Sequence, residues 1–515
     1  MVRLWIYCGG SATQIILKHI LPFFILLLLG CTLSIKNAPE KFDIWIKNGT
    51  VIDGKGGPAV KAEVFIKGDL IHFVGKLNRP FVSRDTLDAK GKIVSPGFID
   101  SHSHGDPFKS PKFINFTSMG VTTIALGQDG SSVSSSNFEQ WLTAVDTLSL
   151  GPNIAPFIGH GTVRKQSGIG YKIGPTKNEI EIMGNLLSDG MVAGAFGMTT
   201  GLEYTPGRYA NQYELDELAK VVGKYDGLIM SHMRTENDLT MESDLAELFS
   251  QGDYANIQIS HMKVVHGKGI KRAEEILALL DQKRAESSFN VSADMYPYLA
   301  SYTTIGILFP KYALAPNDYE KVQDNRREDL LEFVKEKVNL RNGPEATLFG
   351  TSPYKGKTLK QVATEIGIPF EELLVDHIGP TGASAAYFTM DHDLQFRFLK
   401  DPYVMVSSDG SPTMYHPRGY GAFAKVIEQF VVKDSFLSLE EAIRKMTSLP
   451  AKMMGIKDRG VLRTGYKADV LIFNLKKVKA NATFDSPHEL ASGFEYVIIN
   501  GKMKKGYGQV LLRDK

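Results

Sequence analysis

Two histidines two positions apart, His102 and His104, end an apolar run in the stretch VSPGFIDSHSHGD at residues 94–106. In an extended backbone residues i and i+2 face the same way, so both imidazoles can reach one divalent ion. Taken alone, the pair reads equally well as two solvated histidines at the end of a buried strand. Other residues of ligating type end similar runs: Asp129 in GVTTIALGQDG, His160 in IAPFIGHG, His232 in GLIMSHMR, His261 in IQISHMK and Asp409 in YVMVSSDG. Each has a plainer reading, as a packed core histidine or a turn aspartate, and His160 is expected to pack or to support. Their shared position at the ends of apolar runs favours a metal centre. Imidazole and carboxylate ligands without thiolate suit zinc, with manganese, cobalt, nickel or iron as alternatives. A divalent ion brings bound water to a pKa of about 7 and polarises a carbonyl. Hydrolysis also needs a carboxylate beside the metal to take the water's proton and pass it to the leaving amine. Asp409 is the candidate for that role.

These residues must be held by a frame, and the chain spells one out. Eight short apolar runs, each ending in polar or glycine residues, lie between residues 94 and 410, several separated by helix-period segments such as GIKRAEEILALLDQKRAES. That rhythm predicts an α/β fold, a (β/α)8 TIM-type barrel, whose chemistry sits at the C-terminal ends of the strands. Short strands with turn residues precede and follow it, which predicts one small β-sandwich built from both ends of the mature chain. The expected organisation is residues 42–93 and 460–515 in the sandwich and 94–459 in the barrel. The gap at about 299–372 is too long for one crossover and reads as an insert over the barrel mouth.

The first 30 residues differ from the rest. Arg3 and Lys18 are their formal charges, residues 20–29 are almost unbroken apolar sequence, and Cys31 follows Leu28-Leu29-Gly30. The run is too short to span a bilayer and suits the h-region of a secretory signal. The plainer reading is an uncleaved anchor or an ordinary signal peptide. The ending Leu28-Leu29-Gly30-Cys31, however, resembles a bacterial lipobox, which implies a lipoprotein-type signal peptide over residues 1–30, with Cys31 as the lipidated residue and a tether over 31–41. That places the protein in the bacterial cell envelope, as a periplasmic or outer-membrane lipoprotein held to the membrane by its lipid. Cleavage there would leave Cys31 as the one remaining cysteine of two, which excludes structural disulfides and thiolate ligands from the folded part. With a formal charge of +2, the chain carries no electrostatic footprint for nucleic acid.

The motifs PGFIDSHSHGD, GVTTIALGQDG, GHGTVR, GAFGMTTGLEYTPGRYA, SHMRTE, ISHMK, DMYPY, SSDG with HPRGYG, and the closing GVLRTGYKADVLIFN resemble the metal-dependent amidohydrolase superfamily. Within it they resemble the D-aminoacylase-like N-acyl-D-amino-acid deacylases, over essentially the whole mature chain. The resemblance implies a metal position formed by His102, His104 and Asp409 and a tighter one that includes His232 and His261, for one or two ions, most often zinc. Where the family often carries a cysteine after the second strand, this chain has Asp129, a harder oxygen ligand. The resemblance also implies a small-molecule substrate with a free carboxylate, bound by Lys263, Tyr296 and Arg418, with Arg234, Tyr204 and Arg208 as further candidates for the cavity wall. The activity implied is hydrolysis of a linear amide in an N-acyl-D-amino acid or a dipeptide with a C-terminal D-residue. Two rivals stand beside it: a cyclic amidase of hydantoinase or dihydroorotase type, and a catalytically inactive barrel acting as a binding protein.

Overall fold

The computed structural model describes residues 39–134, 137–503 and 506–513. The expected signal peptide, Cys31 and most of the tether lie outside these residues. Five strands open the described chain: β1 (Glu40–Val51), β2 (Val60–Lys67), β3 (Leu70–Val74), β4 (Phe81–Asp88) and β5 (Ile93–Pro96). In β1, Phe42, Ile44 and Ile46 are buried while the residues between them are not, the two-residue period of a half-buried strand. The barrel strands follow: β6 (Phe98–Asp100), β7 (Val121–Leu126), β8 (Asn153–Pro156), β9 (Ile158–Gly159), β10 (Gly197–Gly201), β11 (Leu228–His232), β12 (Asn256–Ile259) and β13 (Val291–Met295). The insert contributes β14 (Ser301–Thr304), β15 (Thr347–Phe349) and β16 (Ser384–Tyr387). β17 (Val404–Val406) completes the barrel, and β18 (Val470–Phe473) and β19 (Phe494–Ile498) return to the first sheet.

The barrel strands pair in parallel in two runs, β6-β7-β8 and β9-β10-β11-β12-β13-β17. β8 and β9 are one strand broken at Phe157, whose N–H still donates to Leu126 O at 2.9 Å. β7, β10, β11 and β13 are buried at every residue, as expected of parallel strands covered on both faces. The ring closes between its first and last strands just past their ends. There Asp409 N donates to His102 O at 2.9 Å and His104 N donates to Gly410 O at 2.7 Å. The backbone that seals the barrel therefore carries three candidate ligands.

Three expectations need correction. The apolar run before His102 is two strands rather than one, split at Gly97. β5 pairs with β1 and β18 in the terminal sheet, whereas β6 pairs with β7 in the barrel. A Cβ on Gly97 would meet the Thr122 side chain at 2.2 Å, so only glycine lets the two layers approach this closely. The insert also runs past residue 372. Leu373, Leu374, Val375, Ala385 and Tyr387 belong to its own core, and β16 is the middle strand of its three-stranded sheet. Finally, the last residues leave the terminal sheet: Gly508 and Val510 bridge to Leu150 and Ile154 beneath the barrel.

The terminal domain is one seven-stranded sheet, ordered β19-β18-β5-β1-β2-β3 with β4 also on β1. It curls, because β3 returns to the segment before β18, where Ile71 N donates to Tyr466 O at 2.8 Å. The apolar side chains enclosed include Ile44, Val64, Ile66, Val470 and Ile472. Among the described residues no helix is long and apolar enough to cross a membrane.

Candidate metal centre and active site

His102, His104, Asp129, His232, His261 and Asp409, predicted from separate runs, converge at the C-terminal rim. One group comprises His102, His104, Asp129 and Asp409, and a second comprises Asp129, His232 and His261, with the ligating atoms in each within 4.8 Å of one another. Asp129 belongs to both. Its Oδ1 lies 3.4 Å from His102 Nε2, 3.5 Å from His261 Nε2 and 3.9 Å from His232 Nδ1, and its Oδ2 lies 3.6 Å from His104 Nε2. Asp409 Oδ1 lies 3.2 Å from His104 Nε2 and 3.7 Å from His102 Nε2.

The local chemistry fits a divalent cation. Both ring nitrogens of His102 and Oδ1 of Asp129 are buried without a hydrogen-bond partner, an arrangement that is expensive unless something positive sits among them. Asp129, His261 and Asp409 have φ of 53°, 36° and 46°, in the left-handed region that non-glycine residues seldom enter. Such strain persists only where the surroundings enforce it, and it gathers at functional sites.

The outward nitrogens of the histidines meet carboxylates. His232 Nε2 lies 3.2 Å from Glu203 Oε2, and His261 Nδ1 lies 3.0 Å from Glu236 Oε1. The inward nitrogens, His232 Nδ1 and His261 Nε2, lie 2.9 Å apart and share one proton, and the carboxylates favour the tautomers whose inward lone pairs a cation replacing that proton would need. Asp294 accepts from His261 N at 3.1 Å and from Ser407 Oγ at 2.5 Å, and its Oδ2 stands 3.8 Å from His102 Nδ1. Asp100 accepts from the backbone N–H of His102 and of Ser408, and burial pushes its carboxyl up to about 7. Glu203, Glu236, Asp294 and Asp100 were not singled out from the sequence. Asp294 had a usable signal, since an aspartate inside an apolar strand is out of place unless it has partners.

The rim opens into a cavity of about 600 Å³ whose wall includes Lys263, Tyr296 and Arg418. Arg418 Nη1 donates to Asp409 Oδ2 at 2.8 Å, and the guanidinium lies 4.5 Å from the Tyr296 ring centroid. Burial works to raise the Asp409 carboxyl, but Arg418 and the nearby histidines outweigh it and hold it well below the usual carboxylate range. Among the described residues Tyr296 Oη has no hydrogen-bond partner. Lys263 is more constrained than its sequence position suggested. Its Nζ lies 2.7 Å from Glu236 Oε1, 2.8 Å from His261 Nδ1 and 3.2 Å from His261 O. A neutral His261 with its Nε2 lone pair inward carries its proton on Nδ1 and donates to Glu236. In that tautomer His261 no longer accepts from Lys263, whose Nζ keeps Glu236 Oε1 and the His261 carbonyl.

Tyr204 also lines the cavity, its ring centroid 4.5 Å from that of His232. Arg234 and Arg208 do not. Arg234 is turned onto Glu247 at 2.7 Å and onto the carbonyls of Arg208 and Ala210, where it ties a loop together. His160, as expected, supports: it is fully buried with Glu214 at 2.7 Å, beside Arg164.

A closed parallel barrel with imidazoles and carboxylates gathered at its C-terminal rim is the arrangement of an amidohydrolase-type hydrolase. The amidohydrolase family model matches residues 361–503. The N-acyl-D-glutamate deacylase of Alcaligenes xylosoxydans xylosoxydans is 32% identical over 491 residues, covering 90% of this chain and 93% of that one. The N-acyl-D-glutamate deacylase of Bordetella bronchiseptica, solved with zinc and a phosphonate mimic of the tetrahedral intermediate, superposes with a TM-score of 0.81 at 29% identity, covering 92% of this chain and all of that one. A D-aminoacylase with a binuclear metal centre gives 0.77 at 30% identity, again over 92% of this chain and all of the other. The chain belongs to the D-aminoacylase-like N-acyl-D-amino-acid deacylase family of the amidohydrolases.

Proposed function

We propose that this protein is a metal-dependent deacylase that hydrolyses the linear amide of N-acyl-D-amino acids, or of dipeptides with a C-terminal D-residue, and releases the D-amino acid. The observation that carries this reading is the position of Asp129, shared between two histidine groups with Asp409 alongside. His102, His104 and Asp409 would hold one ion, His232 and His261 a second, with Asp129 between them and zinc the best-suited metal. When bound, the metal supplies a Lewis acid and a source of hydroxide near neutral pH.

The side chains do the rest. Asp409, kept ionised by Arg418, accepts the proton of the attacking water and returns it to the departing amine nitrogen. Tyr296, Arg418 and the ammonium of Lys263 hold the α-carboxylate and so fix the amide carbonyl over the rim. Glu203 and Glu236 keep His232 and His261 in the tautomers that face the ions. The stereochemical preference rests on the family relationship.

The apolar segment ending at Cys31 supports export and lipid attachment in a bacterial envelope, and palmitate labelling that disappears in Cys31→Ala tests it. The activity is tested by offering metal-reconstituted protein N-acetyl-D-amino acids, N-acetyl-L-amino acids and L-Xaa-D-Xaa dipeptides. Turnover confined to the D-compounds is expected. Turnover of L-compounds alone, or of a hydantoin or dihydroorotate offered beside the panel while the D-compounds stay inert, overturns the reading.

A further inference from the structure

The cavity wall carries four cationic side chains, Lys165, Lys263, Arg341 and Arg418, and they are not equivalent. Lys263 is paired with Glu236 and Arg418 with Asp409. Lys165 is exposed to water, which screens it. Arg341 is only 7% exposed, its Nε has no hydrogen-bond partner, and no carboxylate among the described residues reaches its guanidinium. The remaining acids of the wall are committed elsewhere: Asp129 lies among the histidines and Glu203 faces His232.

A buried guanidinium without a counter-charge is costly, and its neighbourhood makes matters worse. Lys337 precedes Arg341 by one turn, and burial followed by the Arg341 charge depresses its ammonium. His266, whose Nε2 is buried without a partner, is depressed by burial and by the same two cations. Among the described residues, the contact that favours Arg341 is the face of Tyr387, 5.0 Å from the guanidinium carbon. Arg341 ends the helix Tyr319–Leu340, and the chain then turns through Asn342 and Gly343 with φ of 69° and 82°.

We propose that Arg341 binds a second, distal carboxylate of the substrate, so that the preferred substrates are N-acyl-D-amino acids carrying two carboxylates. A planar guanidinium with a free edge matches a carboxylate in fork geometry, and the anion removes the penalty of the buried cation. This rests on the deacylase reading of the same site. The second carboxylate can sit on the D-side chain or at the far end of the acyl group.

The test compares kcat/KM of metal-reconstituted wild type, Arg341→Met and Arg341→Lys on N-acetyl-D-glutamate, N-succinyl-D-leucine and N-acetyl-D-leucine. Wild type is expected to favour at least one dicarboxylic compound, and the one favoured says which end carries the anion. Arg341→Met should lose about 30-fold or more on that compound while N-acetyl-D-leucine changes less than about 3-fold. Arg341→Lys should lose less, on the same compound only, which separates lost recognition from lost folding. An equal loss on neutral and dicarboxylic compounds in both variants overturns the proposal, as does a wild-type preference for N-acetyl-D-leucine. If wild type hydrolyses none of the three, the deacylase reading falls and this inference with it.

Discussion

The two ends of the barrel are built from the same kinds of polar residue and treat them in opposite ways. At the N-terminal end, Asp469 accepts from Asn500 N at 2.8 Å and Asn153 Nδ2 at 3.2 Å and is paired with Arg459. Asn500 Nδ2 in turn donates to Asn153 Oδ1 at 2.8 Å. Both carboxylate oxygens of Asp469 are used, and the network joins β8, the approach to β18 and the C-terminal tail. At the C-terminal end, His102 and Asp129 present buried atoms to nothing, and the backbone at three candidate ligands is strained. At the floor the carboxylate is fully used and holds the fold together, although Asn500 Oδ1 and Arg459 Nε are buried without a partner; at the rim the unpartnered atoms are ligating ones gathered around a cavity. A ligand-binding rim and a structural floor are thus told apart by which buried atoms lack partners: at the rim they are imidazole and carboxylate ligands that converge on one another.

That contrast predicts how each end fails. Asp409→Asn should lower kcat/KM by about 10⁴-fold, because the proton acceptor is gone, while its amide oxygen still accepts from Arg418 and the loss of stability stays smaller than at Asp469→Ala. Steady-state kinetics on an N-acetyl-D-amino acid beside a thermal melt checks it. Asp469→Ala should do the reverse, removing about 3–5 kcal/mol of stability by stranding the buried Arg459, with kcat/KM of the folded protein nearly unchanged. Denaturant unfolding read together with activity at low temperature separates the two outcomes.

The floor also predicts a pH dependence. The ammonium of Lys445 is fully buried against the carbonyls of Asp401 and Val404, and burial pulls it down to about 8. Its folded pKa is below the unfolded one, so between about pH 8 and 10.5 the unfolded chain binds more protons and stability rises with pH. The gain approaches about 3 kcal/mol at the top of that window. Lys445→Met lacks the term, so wild-type stability should rise relative to the variant across the window. A constant difference from pH 7 to 10.5 would contradict the assignment. The smallest effect belongs to support of the rim: Glu203→Gln should weaken metal affinity by about 10–100-fold by loosening the His232 tautomer. Metal titration against a chelator measures it.

Much of this was legible in the chain. Apolar runs ending in histidine or aspartate marked the barrel and its six candidate ligands, because strand ends and ligand positions are both local features. What escaped depended on contacts between distant segments. Gly97 divides two sheets within one unbroken apolar run, and the reason is Thr122 on the next strand. The insert continues to Tyr387 because β16 pairs with β14, some 80 residues earlier. Glu203 and Glu236 stand within motifs that were recognised, yet their roles come from imidazoles on other strands. Arg234 sits in such a motif too, and Glu247 on the following helix turns it away from the cavity.

The most direct test is an anomalous difference map from crystals of this protein grown with zinc. The account predicts density among His102, His104, Asp129 and Asp409, among Asp129, His232 and His261, or at both, with ligand distances of about 2.0–2.2 Å. Zinc bound elsewhere, with those six side chains left as they are, would contradict it.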